Sequence, residues 1–358
     1  MDTGKSAGER ADLLLAEMTL KEKAGQLNQK LYGFRIYDRK GDTVTLKDEF
    51  YKEVENCGGL GALYGLYRSD PWSERDYENG LCGEMAIKLY NEIQKYVMEH
   101  SRLHIPVMMS SECPHGHQAL DGYLLPVNLA AGATFHPELL RKAYRVCGSQ
   151  LKGMGAHLAL CSMLDMLRDP RWGRSEECYG EDPYLVKEMG VAFVKGLQGE
   201  PEQSAKGIAP GKLAAMGKHF VAYSKPEAGI NIAPALVGER ELREDHLYPF
   251  EAAVKEANIY SIMPGYHEID GVPIHASKWL LKDVLRDEWG FKGYIFSDYG
   301  AIGMMNYLHH TADGPKETGF QAITAGVDVE APSAYGYKHL IELVKEGRLP
   351  ESVIDERV

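Results

Sequence analysis

Two textures alternate along the chain. Short apolar runs, each ending in a charged or small residue, are separated by longer stretches in which apolar residues recur at helical spacing. The runs predict buried strands at Gly58 to Leu63, Ile105 to Met109, His157 to Cys161, Leu213 to Met216, Tyr260 to Met263, Tyr294 to Ser297 and Val327 to Val329. The longer stretches predict helices over Ala11 to Met18, near Gly83 to Glu99, from Pro137 to about Lys152, from Pro183 to Gly196 or Gly199, over Glu239 to Ala257, from Ser277 to Trp289, near Glu317 to Ala325 and over Tyr337 to Glu346. Their punctuation supports this. Thr19-Leu-Lys-Glu22 reads as a capping box that opens a helix through Leu27, and Pro137 and Pro183 sit where a first helical turn needs no N–H donor.

Strand and helix alternating with crossovers of this length predict a parallel α/β fold. Seven or eight strand candidates favour a (β/α)8 TIM-type barrel over an open sheet, with an irregular first strand region. Residues 31 to 82 look loop-rich and aromatic, with ordinary packing as the default role of the rings. The expected organisation is one barrel domain over residues 1–358, with residues 1–30 as a helical lead-in.

Composition narrows the function classes. The formal charge of -12 excludes a polyanionic nucleic-acid partner, and no apolar run has the length of a membrane span. The segment Met1-Asp-Thr-Gly-Lys-Ser6 lacks the pattern of a signal peptide. Its Gly4-Lys5-Ser6 lacks the upstream glycine and strand of a phosphate-binding loop. The six cysteines show no C-x-x-C spacing, so reduced thiols and a cytoplasmic location are expected.

The residues that follow the strands carry the chemistry. They are Ser110-Ser111-Glu112 with His115 and His117; Asp165, Arg168, Asp169, Arg171 and Arg174; Lys218-His219; Tyr266, His267, Glu268 and Asp270; Asp298; and Glu330. In a barrel these converge on the C-terminal rim, where active sites lie. Fixed cations and carboxylates around one pocket suit a polyhydroxylated ligand, because each hydroxyl both donates and accepts. Asp298, within Gly293-Tyr-Ile-Phe-Ser-Asp-Tyr-Gly300, is either the cap of the next helix or a functional carboxylate at a strand tip. Arg168, nearest its strand, is the expected ligand contact, and Arg171 and Arg174 are expected to pair with neighbouring acids. His115-x-His117 and His309-His310 lack a third ligand at recognisable spacing, so no metal is expected. Cys113 and Cys161 read as packed residues rather than nucleophiles.

The ordered blocks Arg168-Asp-Pro-Arg-Trp-Gly-Arg174 with Gly180-Glu-Asp-Pro-Tyr184, Lys218-His-Phe220, Glu239-Arg-Glu-Leu-Arg243, Tyr266-His-Glu-Ile-Asp-Gly-Val-Pro273 and Ser297-Asp-Tyr299 extend this reading. Together they resemble the N-terminal barrel of glycoside hydrolase family 3, the retaining β-glucosidase and β-xylosidase group. The resemblance implies Asp298 as catalytic nucleophile. It implies sugar contacts at Glu112, Arg168, Lys218, His219 and Tyr266, with Met263 lining the subsite, and no cofactor or metal. The implied reaction is double displacement at the non-reducing end of a β-glycoside. The chain departs from the family pattern at Cys113-Pro114, His267 and Tyr299. Val221-Ala-Tyr-Ser-Lys-Pro-Glu227 replaces the loop of the β-N-acetylhexosaminidase branch, which is therefore disfavoured. Glucosidase-type members take their general acid/base from a second domain. The resemblance thus implies that a second domain, partner chain or homodimer supplies it here. The rival reading from another class is a non-catalytic carbohydrate-binding or scaffold barrel.

Overall fold

The computed structural model describes residues 4–358; residues 1–3, on which part of the leader-pattern expectation rests, lie outside the described residues. The chain opens with two capped helices, Ala7–Glu17 and Leu20–Gln26. Ser6 caps the first, and Thr19 and Glu22 form the predicted capping box of the second. A hairpin follows, β1 (Tyr37–Lys40) and β2 (Thr43–Leu46), then a helix, Asp48–Cys57. These elements occupy the region expected to be loop. The hairpin's apolar runs are too short to give a strand period, whereas the helix does carry Phe50, Val54 and Cys57 at helical spacing, a signal the loop reading passed over.

The core is a six-stranded curled parallel sheet. Its strands are β3 (Ala62–Tyr64), β4 (Met108–Glu112), β5 (Leu158–Leu160), β6 (Ala214–Phe220), β7 (Ser261–Pro264) and, after a small hairpin of β8 (Glu268–Ile269) and β9 (Val272–Pro273), β10 (Tyr294–Ile295). Sequential strands neighbour one another in order. Isolated parallel bridges then close the circuit: Phe296 to Val329, Glu330 to Asn28, and Tyr32 to Tyr64. The Gln29 N–H donates to the Glu330 carbonyl and the Glu330 N–H to the Leu27 carbonyl, both at 3.0 Å. The fold is therefore the expected α/β TIM-type barrel, and its irregular first segment is the stretch around Asn28.

Helices on the outside, among them Pro137–Gly153 and Pro183–Gln198, bury apolar stripes against the sheet. The barrel interior holds Phe34, Tyr64, Leu158, Leu160, Met216, Met263 and Phe296, all nearly inaccessible. The predicted helix over Glu239 to Ala257 is present but changes pitch, with a π-helical turn at Leu242–His246 before Tyr248–Lys255. Trp279–Glu288 is π-helical throughout.

Two glycines set the path into and out of β10. A Cβ at Gly293 would lie 2.1 Å from the Tyr260 carbonyl oxygen, so the strand can enter the sheet only without a side chain there. Gly300, at φ 73°, turns the chain left-handedly into the helix Ala301–Tyr307. The segment between them delivers Asp298 to the rim. No described helix is long and apolar enough to cross a membrane.

Candidate active site

β4, β6 and the β10 segment bring charged groups into contact at the rim. Glu112 ends β4 and is 7% exposed. Its Oε1 accepts from the Tyr64 hydroxyl at 2.9 Å and Arg68 Nη1 at 3.2 Å, and its Oε2 lies 3.4 Å from Lys218 Nζ. Lys218 and His219 sit inside β6, since the strand continues to Phe220. Met263 pairs in register with Lys218 and is buried in the barrel interior.

Asp298 is 4% exposed. Its backbone N–H donates to His275 Nε2 at 3.1 Å, and its Oδ1 accepts from the Tyr299 N–H at 2.7 Å. Its Oδ2 faces His219 Nε2 at 3.5 Å. Asp298 does not cap the following helix; Gly300 holds that position with no side-chain cap. On the far side of the His219 ring, Asp165 Oδ2 accepts from the His219 backbone N–H at 2.8 Å and lies 3.0 Å from Nδ1.

Burial dominates the electrostatics. It raises the Asp298 carboxyl above its usual range, and the Arg174 charge, the Tyr266 hydroxyl, the Tyr299 N–H and Lys218 act the other way. Burial pushes Asp165 up to about 7. Burial, then the charges of Arg174 and Lys218, hold the His219 imidazole well below its ordinary range, so the ring is neutral. Tyr266 packs on Tyr223 with ring centroids 5.9 Å apart, and burial, then Asp298, keep its hydroxyl protonated.

A cavity of about 270 Å³ opens beside these groups, lined by Arg68, Glu112, His115, Arg174, Glu177 and Lys218 among others. Asp298 does not itself line it, but two of the lining cations act on its carboxyl.

Arg168 departs from its expected role, and Arg174 keeps its expected acid partner but also reaches the cavity. Arg168, the expected ligand contact, points to the outside and pairs with Asp245 at 2.6 Å. Arg174 lines the cavity and grips Glu177 with Nε and Nη2 at 2.6 and 2.9 Å. The loop from Asp165 doubles back through the 3-10 turn Ser175–Glu177, which brings the more distant arginine inward. Arg171 pairs with Asp169 as expected.

Arg68 and Tyr64 were missed. Arg68 joins Glu112 to Asp70, bonds the Tyr64 hydroxyl, and stacks 4.3 Å over the half-exposed Trp72 ring. The available signal was an arginine just past a short apolar run. Two of the remaining rim carboxylates, Glu330 and Glu268, serve their own loops. Glu330, pushed up to about 7 by burial, accepts from the Gly336 and Tyr337 N–H groups. Glu268 accepts from the Gly271 N–H. Cys113 is buried against Cys161, and that neighbouring thiol, then burial, keep its own thiol protonated. Among the described residues, no three His, Cys, Asp or Glu side chains gather as a metal set.

Comparison with known proteins agrees with this fold. The profile of the glycosyl hydrolase family 3 N terminal domain matches residues 19–358. A β-xylosidase of Formosa agariphila is 43% identical over 237 residues, 64% of this chain and 32% of that protein. The periplasmic β-glucosidase of Salmonella typhimurium is 31% identical over 344 residues, 96% of this chain and 40% of that protein. The structure of a β-glucosidase from Erythrobacter marinus superposes with a TM-score of 0.88 at 33% identity, covering 99% of this chain and 44% of that one. The chain thus spans less than half the length of these relatives.

Proposed function

The chain belongs to glycosyl hydrolase family 3, and from that membership we propose that it carries the nucleophile and sugar subsite of a retaining β-glucosidase or β-xylosidase. The observation that carries this reading is Asp298, a rim carboxylate buried at 4% exposure beside His219, with the Arg174 and Lys218 charges favouring its ionised form. Relatives named for both sugars support both substrates.

In the first step an Asp298 carboxylate oxygen bonds to the anomeric carbon. The bond from that carbon to the leaving oxygen breaks, and the electron pair leaves with that oxygen. A proton from a general acid reaches it, or an activated phenolate departs unprotonated. In the second step water attacks the same carbon and gives one proton to the deprotonated acid/base or to solvent, the ester bond returns its pair to Asp298, and configuration is retained. Glu112, Lys218, His219 and Tyr266 grip the sugar hydroxyls, Met263 supports the subsite floor, and Arg174 takes the role expected of Arg168. The acid/base comes from a second domain or partner chain, as the family membership implies; Glu268 and Glu330 accept from backbone donors of their own loops, and Glu177, in the cavity lining, is held by Arg174.

The test is covalent trapping. The protein is incubated with dinitrophenyl 2-deoxy-2-fluoro-β-glucoside and the corresponding β-xyloside, then weighed intact and mapped by peptide. These leaving groups depart without a general acid. An adduct on the peptide that contains Asp298 supports the proposal and reports the preferred sugar. Folded protein that forms no adduct with either reagent overturns it in favour of a binding barrel.

A further inference from the structure

Asp165 has no part in the reaction as derived so far, yet its side chain is fully buried directly behind His219. One oxygen, Oδ2, meets both the backbone N–H and Nδ1 of His219. The other, Oδ1, is buried and makes no hydrogen bond of good geometry, the Ser224 backbone N–H acting only weakly on the carboxyl. A carboxylate ion so sparsely bonded in such a place is costly, whereas a carboxylic acid is not. On the other face of the ring, Nε2 confronts Asp298 Oδ2 at 3.5 Å. An ionised Asp298 is repelled by a bare lone pair at Nε2 and attracted by an N–H. The ring is neutral and has one proton to place. If Nε2 carries it, Nδ1 is bare and needs a donor, and Asp165 is the group in reach.

We propose that Asp165 is a positioning residue that shares a proton with Nδ1 of His219 and thereby fixes Nε2 as the proton-bearing nitrogen facing Asp298 and the sugar. This rests on the reading of Asp298 as nucleophile. The titratable groups facing the trio are Arg174, Lys218, His267, His275, Glu177, Tyr223, Tyr266, Tyr299 and Cys178. Of these, Arg174 favours proton loss from Asp165, while burial, the largest influence, opposes it and pushes the carboxyl up to about 7. Above that pH the pair gives up its shared proton. Asp165 then holds a proton on Nδ1, Nε2 turns bare, and the donor facing Asp298 is lost. The result is an alkaline limb that belongs to Asp165 rather than to an acid/base group.

Asp165→Asn produces the same tautomer at every pH. The buried His219 N–H requires an acceptor, so the amide oxygen takes the Oδ2 position, and at 3.0 Å from Nδ1 it demands a proton there too. In the variant, trapping by the dinitrophenyl fluoroglycosides should be slower by roughly 10- to 100-fold, the loss of one hydrogen bond to a charged group. The loss should fall on the maximal trapping rate rather than on reagent affinity. Its rate should be flat across pH 6 to 9, and the wild-type rate should descend toward it as pH rises. A variant that traps at the wild-type rate with an unchanged alkaline limb overturns the proposal. Nitrogen-15 NMR of the histidines gives a readout that needs no reaction. Wild type at pH 6 should show His219 protonated at Nε2, and the variant should show it protonated at Nδ1. The same tautomer in both proteins overturns the proposal even if the wild type is never trapped, an outcome that would separately refute the nucleophile reading.

Discussion

Replacing Arg168 and Arg174, each by Met, separates the two arginines that share one sequence block. The Arg168–Asp245 pair is about one-third exposed on each side. Such a pair contributes about 0–1 kcal/mol, and its loss should leave the cavity intact. Arg174 is three-quarters covered, makes two short bonds to Glu177, and is the strongest charge favouring ionised Asp298. Losing it removes charge-assisted bonds worth about 1–3 kcal/mol at this partial burial. It also withdraws a nearby positive charge from Asp298, which at close range changes a carboxyl's ionisation roughly 10- to 1000-fold. Urea melts would give the stability change, and the rate of fluoroglycoside trapping against pH would give the effect on the site. Arg174→Met should trap slowly at pH 6, with its acid limb moved to higher pH because Asp298 holds its proton longer. Arg168→Met should trap like the wild type. Equal losses in both variants, or a loss confined to Arg168→Met, would refute the assignment of Arg174 as the inward arginine.

Three further outcomes are expected. Glu112→Gln removes the charge that meets Lys218 and Arg68, and should weaken fluoroglycoside affinity by roughly 10- to 100-fold, read from the concentration dependence of trapping. Asp328→Ala strips the shared partner of Arg286 and Arg357, at 2.6 and 3.2 Å, and should cost about 3–5 kcal/mol in a urea melt while trapping survives at low temperature. Glu22, held down to about 2 first by its bonds to Arg102, stabilises the fold above its unfolded value of 4.5 and loses that contribution as pH falls toward 2. Glu22→Gln should therefore lower the melting temperature at pH 7 and have little effect near pH 2.

The barrel was legible because its strands are apolar runs with clear helical stretches between them. The strand ends were less so, for a physical reason. In β4 and β6 the polar residues Ser110, Ser111, Glu112, Lys218 and His219 lie inside the strands, facing a polar rim. Polarity that looked like the end of a strand was the site itself. The same residues drew attention to the rim, so Glu112, Lys218, His219 and Asp298 were singled out despite misplaced boundaries, and the structure brings them together there. Arg174 was expected to pair with a neighbouring acid, as it does with Glu177, but only the folding back of residues 165–177 carries it to the cavity. Arg68 and Trp72 were hidden in an aromatic, loop-rich region whose short hairpin has no strong period. Asp165 was visible as one charged residue after a strand, but its alignment with the His219 ring is a tertiary fact.

The central claim is that Asp298 is the nucleophile, and chemical rescue tests it most directly. Asp298→Ala would be incubated with dinitrophenyl β-glucoside or β-xyloside in the presence of azide, and the anomeric configuration of the product read by NMR. Azide entering the space left by the carboxylate should give the α-glycosyl azide, inverted relative to the substrate, while the variant forms no fluoroglycosyl adduct. A variant that still forms the adduct at the wild-type rate would place the nucleophile on another residue and contradict the account.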